Sequence, residues 1–240
     1  MYPSSQPANY DRAATMFSPD GRLYQVEYAS KIVAQGTLGA ACKYGDGILF
    51  AADKKINSRL LLPESVEKIF LIDDHISAVS AGLVGDARRL VQVARQKSQE
   101  NRVLYEEPIQ IETLVKEISN IKQVFTQYGG MRPFGISFII GGIDNSGKRL
   151  FETEPSGALA EYHAIAIGKN RAKAMELFEK EWKETLSKEG AVKLLLKALE
   201  FGLEEKEKLD LKRLQFVYID SSQKFRPVSQ DELKAISGKN

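Results

Sequence analysis

Strand pairs and helix pairs come in blocks along this chain, and that ordering constrains its fold more than any other feature. Residues 38–43 and 48–53 read as strands either side of Tyr44-Gly45-Asp46-Gly47, and 68–72 and 76–81 as strands either side of Asp73-Asp74-His75. Both are hairpin signals, extended apolar runs meeting at turn residues. Two helices follow, over 86–103 and 109–128; the second carries Ile111, Leu114, Val115, Ile118, Ile121, Phe125 and Tyr128 as one apolar stripe, the spacing of a helix packed on one face. Strands return at 134–144 and 149–153, joined by Asp144-Asn145-Ser146-Gly147, and at 159–167. Helices at 170–186 and 189–206, a strand at 214–220 and a short helix at 230–236 complete the pattern. No repeat recurs at a fixed period. One strand alternating with one helix would build a doubly wound parallel sheet, whereas hairpin blocks separated by helix pairs build an α+β fold. Hairpin groups that need cover on both faces are satisfied by a β-sandwich between helix layers.

Ahead of the first strand, Ser18-Pro19-Asp20-Gly21 is turn chemistry: Pro fixes φ and Gly is free to take φ > 0. Tyr24, Tyr28 and Ile32 then share one face and Leu23, Val26 and Val33 an adjacent one, which makes an amphipathic helix of about three to four turns ending at Gly36. Residues 1–17 read as a flexible tail, because Pro3, Ser4, Ser5, Gln6, Pro7 and Asn9 supply too little apolar surface to order by themselves. Residues 18–240 read as a single domain, long enough to bury a sizeable core.

Composition removes several function classes. The formal net charge is +2, and Lys and Arg are interleaved with Asp and Glu, as in Glu179-Lys180-Glu181; these are solvated helix faces, so no nucleic-acid partner is expected. No apolar run approaches the roughly 18–20 residues that span a membrane, so no membrane association is expected. The polar N-terminus has no apolar centre, which excludes a signal peptide. Cys42 is the only cysteine; it reads as a buried strand residue, and the lack of an intrachain disulfide fits a reducing, cytoplasmic setting. His75 in a turn and His163 in a strand have no Cys or carboxylate at ligand spacing, so no metal site is indicated. Gly82-x-x-Gly85-Asp86 reads as a turn glycine and a helix N-cap.

The stretch FSPDGRLYQVEYA, Phe17 to Ala29, closely resembles the signature of proteasome α-type subunits, the outer-ring components of the 20S core particle. Tyr10-Asp11-Arg12-Ala13 matches the tail segment of that family. The match continues through Lys54-Lys55, Val66-Glu67-Lys68-Ile69, Ser80-Ala81-Gly82-Leu83, Asp86-Ala87-Arg88, Tyr128-Gly129-Gly130-Met131-Arg132-Pro133 and Gly141-Gly142-Ile143-Asp144. The resemblance implies a four-layer αββα sandwich of the N-terminal nucleophile hydrolase type, with an extra N-terminal helix. It implies a structural and gating subunit that is no enzyme by itself and needs no cofactor. Its expected partners are further α copies in a homoheptamer of archaeal type, proteasome β subunits that hold the catalytic threonines, a hexameric regulatory ATPase, and unfolded protein substrates in transit.

The same resemblance assigns residues. The tail is the gate, and Tyr10, Asp11, Arg12, Pro19 and Tyr28 hold it open. Lys68 lines a pocket that receives the C-terminal tail of the ATPase, its amine pairing with the terminal carboxylate, with Gly36, Gly82 and Leu83 as the wall. Tyr128, Gly129, Gly130 and Met131 form a fixed pore constriction. Plainer readings stand beside these: tyrosines packing on a helix face, Lys68 as an edge-strand charge, and 128–133 as a helix-to-strand connector. One departure is Ser30, where many relatives carry a basic residue.

Gly36-Thr37 offers a competing enzyme reading. In β-type subunits a Gly-Thr bond is cleaved, and the exposed Thr α-amine serves as base for its own hydroxyl. Thr37 falls near the matching position, and Asp53 and Lys68 align with the supporting acid and lysine. The alternative is therefore a β-type threonine endopeptidase matured at Gly36-Thr37. The residues ahead of Thr37 are the α-type signature, however, and the β-type Asp-x-x-Ser-Gly and Ser-Gly elements are replaced by Asp210-Leu211-Lys212-Arg213 and Gly168-Lys169. No catalytic residue is assigned.

Overall fold

The computed structural model describes residues 10, 12–55, 58, 60–203 and 209–238. In chain order these form α1 (Tyr24–Gln35), β1 (Gly39–Tyr44), β2 (Gly47–Asp53), β3 (Ile69–Asp73), β4 (Ile76–Gly82), α2 (Val84–Tyr105), α3 (Ile111–Phe125), β5 (Ile136–Asp144) and β6 (Gly147–Thr153). Then follow β7 (Leu159–Glu161), β8 (Ala164–Ile167), α4 (Arg171–Glu181), α5 (Lys188–Glu200), β9 (Leu214–Asp220), β10 (Phe225–Pro227) and α6 (Gln230–Ser237). Two five-stranded sheets result, ordered β10-β9-β2-β1-β8 and β3-β4-β5-β6-β7. Every pairing is antiparallel.

Three apolar clusters separate four layers. Ala41, Ile48, Phe50, Val79, Ile139, Ile165 and Val217 lie between the two sheets. Leu49 and Ala51 face Val192, Leu195 and Leu199 of α5 and Phe178 of α4. Phe70, Phe138 and Phe151 face Leu90 of α2 and Leu114 and Ile118 of α3. Strand β2 is buried at every position, because alternate side chains enter the inter-sheet core and the helix layer, the pattern of a strand covered on both faces. The molecule is an αββα sandwich. Helix α1 packs on β4 and β5, and its Val33 joins the inter-sheet core.

Several sequence expectations shift. The strand expected over 159–167 is two strands on different sheets. Tyr162 still donates its N–H to Leu150 O (2.8 Å), while the next residue, His163, already accepts from Lys43 N–H (2.8 Å) on β1. His163 therefore sits in the crossing and not in a strand. Helix α4 stops at Glu181, where Trp182 turns extended and its indole donates to Lys43 O at 2.9 Å. Helix α5 ends at Glu200; residues 204–206 of its expected range lie outside the described residues. Helix α3 ends at Phe125, so Tyr128 lies beyond it, 59% exposed, and off the apolar stripe. Cys42 is fully buried in β1, and burial pushes its thiol up to about 12. Among the described residues no helix is long and apolar enough to cross a membrane, and no cluster of His, Cys, Asp and Glu could hold a metal ion.

Candidate functional site

The turn before α1 is tightly closed. Buried Ser18 donates its hydroxyl to Asp20 Oδ1 (2.6 Å) and accepts Arg22 N–H (3.0 Å), with Gly21 N–H on Ser18 O (2.8 Å). Arg22 forks onto Glu27 at 2.7 and 2.5 Å, tying the turn to the helix it precedes. The rings of Tyr24 and Tyr28 stack at 6.3 Å, and Lys31 lies 5.4 Å over Tyr28. Pro19 is exposed on the turn, Tyr10 is half-buried and Arg12 exposed. Asp11 and residues 1–9 lie outside the described residues. Ser30 donates to Val26 O of its own helix at 3.1 Å, so this position carries no ion pair.

At the C-terminal end of α1 the structure brings Thr37, Asp53 and Lys68 together. Thr37 Oγ1 donates to the backbone carbonyl of Asp53 at 2.7 Å. Lys68 Nζ donates to Thr37 O at 3.4 Å. The Asp53 carboxylate is 3% exposed and taken on both oxygens by Arg213, at 2.6 Å each, with Lys55 N–H adding a bond of 2.9 Å. Lys68 is thus not the partner of the buried acid; Arg213, absent from the sequence-derived set, is. With 8% exposure Lys68 is no exposed edge charge. Burial pushes its amine down to about 8, against a partial pull back from the Asp53 charge. A cavity of about 280 Å³ opens beside Thr37, lined by Gln35, Asp53, Lys55, Lys169 and Arg213 among others.

Gly36 and Gly82 are in contact with each other. A Cβ on Gly36 would lie 2.8 Å from Gly82 N, and one on Gly82 would lie 2.1 Å from Gly135 O. The close approach is therefore between backbones of this chain. Leu83, 38% exposed, follows directly, and its N–H binds Gly135 O at 2.9 Å. Asp86, expected as an N-cap, lies inside the first turn of α2; the cap position is Leu83, without a side-chain cap bond. The Asp86 carboxylate instead accepts both arms of the Arg132 guanidinium (2.7 and 2.7 Å) and Gly135 N–H (2.9 Å). Burial works against that charge, but these donors outweigh it and hold the carboxyl below the usual range. The loop of Tyr128, Gly129, Gly130 and Met131 stands clear of the body: a Cβ on either glycine would meet nothing within 4 Å.

Residues 33–219 match the proteasome subunit family, and residues 10–31 match the N-terminal signature of A-type proteasome subunits. The two matches meet within α1. The chain is 47% identical over 230 residues to the proteasome alpha subunit of Methanothermobacter thermautotrophicus, across 95% of this chain and 92% of that one. It is 46% identical over 231 residues to the proteasome alpha subunit of Methanopyrus kandleri, across 95% and 93%. It is 53% identical over 195 residues to the proteasome alpha subunit of Methanocaldococcus jannaschii, across 80% and 74%.

Proposed function

This chain belongs to the proteasome subunit family, in its α-type branch, and from that membership we propose that it is the non-catalytic, gating subunit of a 20S core particle. Seven copies form the outer ring, which stacks on β subunits and admits unfolded protein to the proteolytic chamber. The observation that carries this reading is the setting of Thr37. Its hydroxyl is spent on Asp53 O, and the acid that would support it is neutralised by Arg213. The segment ahead of it is built into the sandwich: Ala29 and Val33 are buried, and Gly36 accepts Lys169 N–H at 2.8 Å. Cleavage at Gly36-Thr37 would strip α1 from the inter-sheet core.

The gate in this reading is the segment through residue 12, with Tyr10, Asp11, Arg12, Pro19 and Tyr28 holding its open form. The braced turn at Ser18–Arg22 supports it, because a displaced tail needs a fixed base. Docking of an ATPase tail at Lys68, Gly36, Gly82 and Leu83 is supported by the buried amine, whose one hydrogen bond among the described residues is to the neutral Thr37 O; the neighbouring cavity, lined by Asp53 as well as Lys55, Lys169 and Arg213, adds room beside it. Tail binding shifts a closed–open equilibrium by favouring the open arrangement. The particle works in the cytoplasm.

The convergence of Thr37, Asp53 and Lys68 makes the threonine endopeptidase the reading to separate. The purified chain is expected to keep its full mass, to be inert alone, and to yield an active particle with a β partner. Deletion of residues 2–12 is expected to leave the ring intact and raise peptide hydrolysis by that particle. A chain that matures to begin at Thr37 and cleaves peptides alone would overturn the non-catalytic assignment. Unchanged hydrolysis after the deletion would overturn the gate.

A further inference from the structure

We propose that Arg132 and Asp86 are positioning residues for the constriction loop: their ion pair pins residues 128–131 to the first turn of α2 and so sets what width of chain can pass. This rests on the reading of 128–131 as the pore constriction.

The loop has little else to fix it. Met131 N–H reaches Tyr128 O at 3.4 Å, and Gln127 and Thr126 bond back into the last turn of α3. Among the described residues, no hydrogen bond from 127–131 leaves the loop and that last turn. Gly130 has φ +81 and Gly129 has open space around it, so the segment between Tyr128 and Arg132 has low intrinsic stiffness. A loop of this kind holds a fixed position only if its ends are held.

Both ends are. At the base, Phe134 packs on Phe125 at 4.5 Å, joining the outgoing strand to the end of α3. At the side, Arg132 places Nη1 and Nη2 on separate oxygens of Asp86, at 2.7 Å each, and Nη1 also reaches Pro133 O at 3.0 Å. A two-armed guanidinium–carboxylate contact fixes orientation as well as distance. Asp86 is itself fixed, 13% exposed, and placed at the positive end of α2. Gly135 completes the joint, giving its N–H to Asp86 (2.9 Å) and its carbonyl to Leu83 N–H (2.9 Å). A Cβ there would lie 2.9 Å from Leu83 Cδ1, so a larger residue would have to push the Leu83 side chain aside. Arg132 is meanwhile 61% exposed, so the pair carries little of the core packing. Its consequence lies in where the loop stands.

The test uses particles assembled with the β partner and lacking residues 2–12, so that the tail does not mask the constriction. One polypeptide is supplied in two forms, linear and closed into a loop by an internal disulfide, which differ in width and not in sequence. In Arg132→Met and in Asp86→Asn particles the ratio of looped to linear hydrolysis is expected to rise about threefold or more. The double variant is expected to rise no further, because the two residues act as one unit. Hydrolysis of a short peptide should stay unchanged in all of them. Arg132→Met guards against a folding failure of Asp86→Asn, as its side chain is mostly in solvent. Met131→Ala separates the two levels of inference. A ratio that responds to Met131→Ala and not to the pair overturns the positioning role and leaves the constriction standing. A ratio that responds to neither overturns both. Independent, multiplying effects of the two substitutions also overturn the proposal.

Discussion

Lys122 shows burial and charge in direct conflict. Its spacing from Val115 and Ile118 puts it on the apolar stripe of α3, and it is fully buried there. The amine donates to Ile136 O (3.1 Å), Thr153 O (3.0 Å) and Thr153 Oγ1 (2.7 Å), all neutral acceptors. Burial pushes it down to about 7, with Glu152 and Glu154 pulling partly back. A lysine lowered in the folded state binds its proton less firmly there than in the unfolded chain. Stability from this group is therefore least below about pH 7 and grows as pH rises toward its ordinary value of 10.5. We expect Lys122→Met to destabilise the chain by about 1–3 kcal/mol, since three buried acceptors lose a donor. The gap between wild type and variant should widen with pH across that window, by at most about 1.4 kcal/mol per pH unit. Denaturant unfolding at pH 7, 8 and 9 checks this, and a gap that is constant or shrinks would refute the assigned shift.

Between elements, the joint from β4 into α2 is where backbone geometry decides. Gly82 ends β4 with φ +123, and any Cβ there would lie 2.1 Å from Gly135 O, a backbone atom held by Leu83 N–H. Gly82→Ala is expected to cost about 2–4 kcal/mol, combining left-handed strain with displacement of β5. Gly129→Ala, with nothing within 4 Å, should stay within about 1 kcal/mol of wild type. Equal losses for the two, measured by urea unfolding, would refute the packing account. The same scale explains what the sequence discloses. Tyr44-Gly45-Asp46-Gly47 and Asp144-Asn145-Ser146-Gly147 are legible as hairpins because their turn chemistry, set between two apolar runs, is local. The crossing at Tyr162-His163 is not, since Leu159 to Ile167 is one extended, largely apolar run and distant partners, Leu150 and Lys43, decide where it breaks. Strand β10 is three residues with Pro227 in it, too short for a period to show. At the site, family resemblance singles out Thr37, Asp53 and Lys68, but Arg213 stands 160 residues from Asp53 and nothing local announces their pairing.

Across the whole molecule, α1 packs against the end of the sandwich where Thr37, Asp53 and Lys68 converge, and the proposed docking of a partner tail falls there, at Lys68. Its amine is buried beside Thr37 O, at 3.4 Å, within the charge of Asp53 but without its carboxylate. An ammonium short of a counter-ion is poised to gain from a carboxylate brought by a partner tail, and the pairing requires the charged form. With the amine held at about 8, a free tail finds Lys68 charged at neutral pH and increasingly neutral above it. The concentration of an ATPase C-terminal peptide that half-activates the particle should therefore be nearly flat below pH 8. Above it, that concentration should climb, approaching about tenfold per pH unit. Hydrolysis by the particle lacking residues 2–12 supplies the reference at each pH, because that particle is open without a tail. Lys68→Ala should assemble normally, respond to deletion of residues 2–12, and lose stimulation by the peptide at every pH. Stimulation that survives in Lys68→Ala would place the carboxylate elsewhere, with Lys55, Lys169 and Arg213 around the neighbouring cavity as the next residues to replace. A flat profile to pH 9.5 with stimulation lost in Lys68→Ala would keep Lys68 as the docking residue and show that it stays charged until the tail arrives.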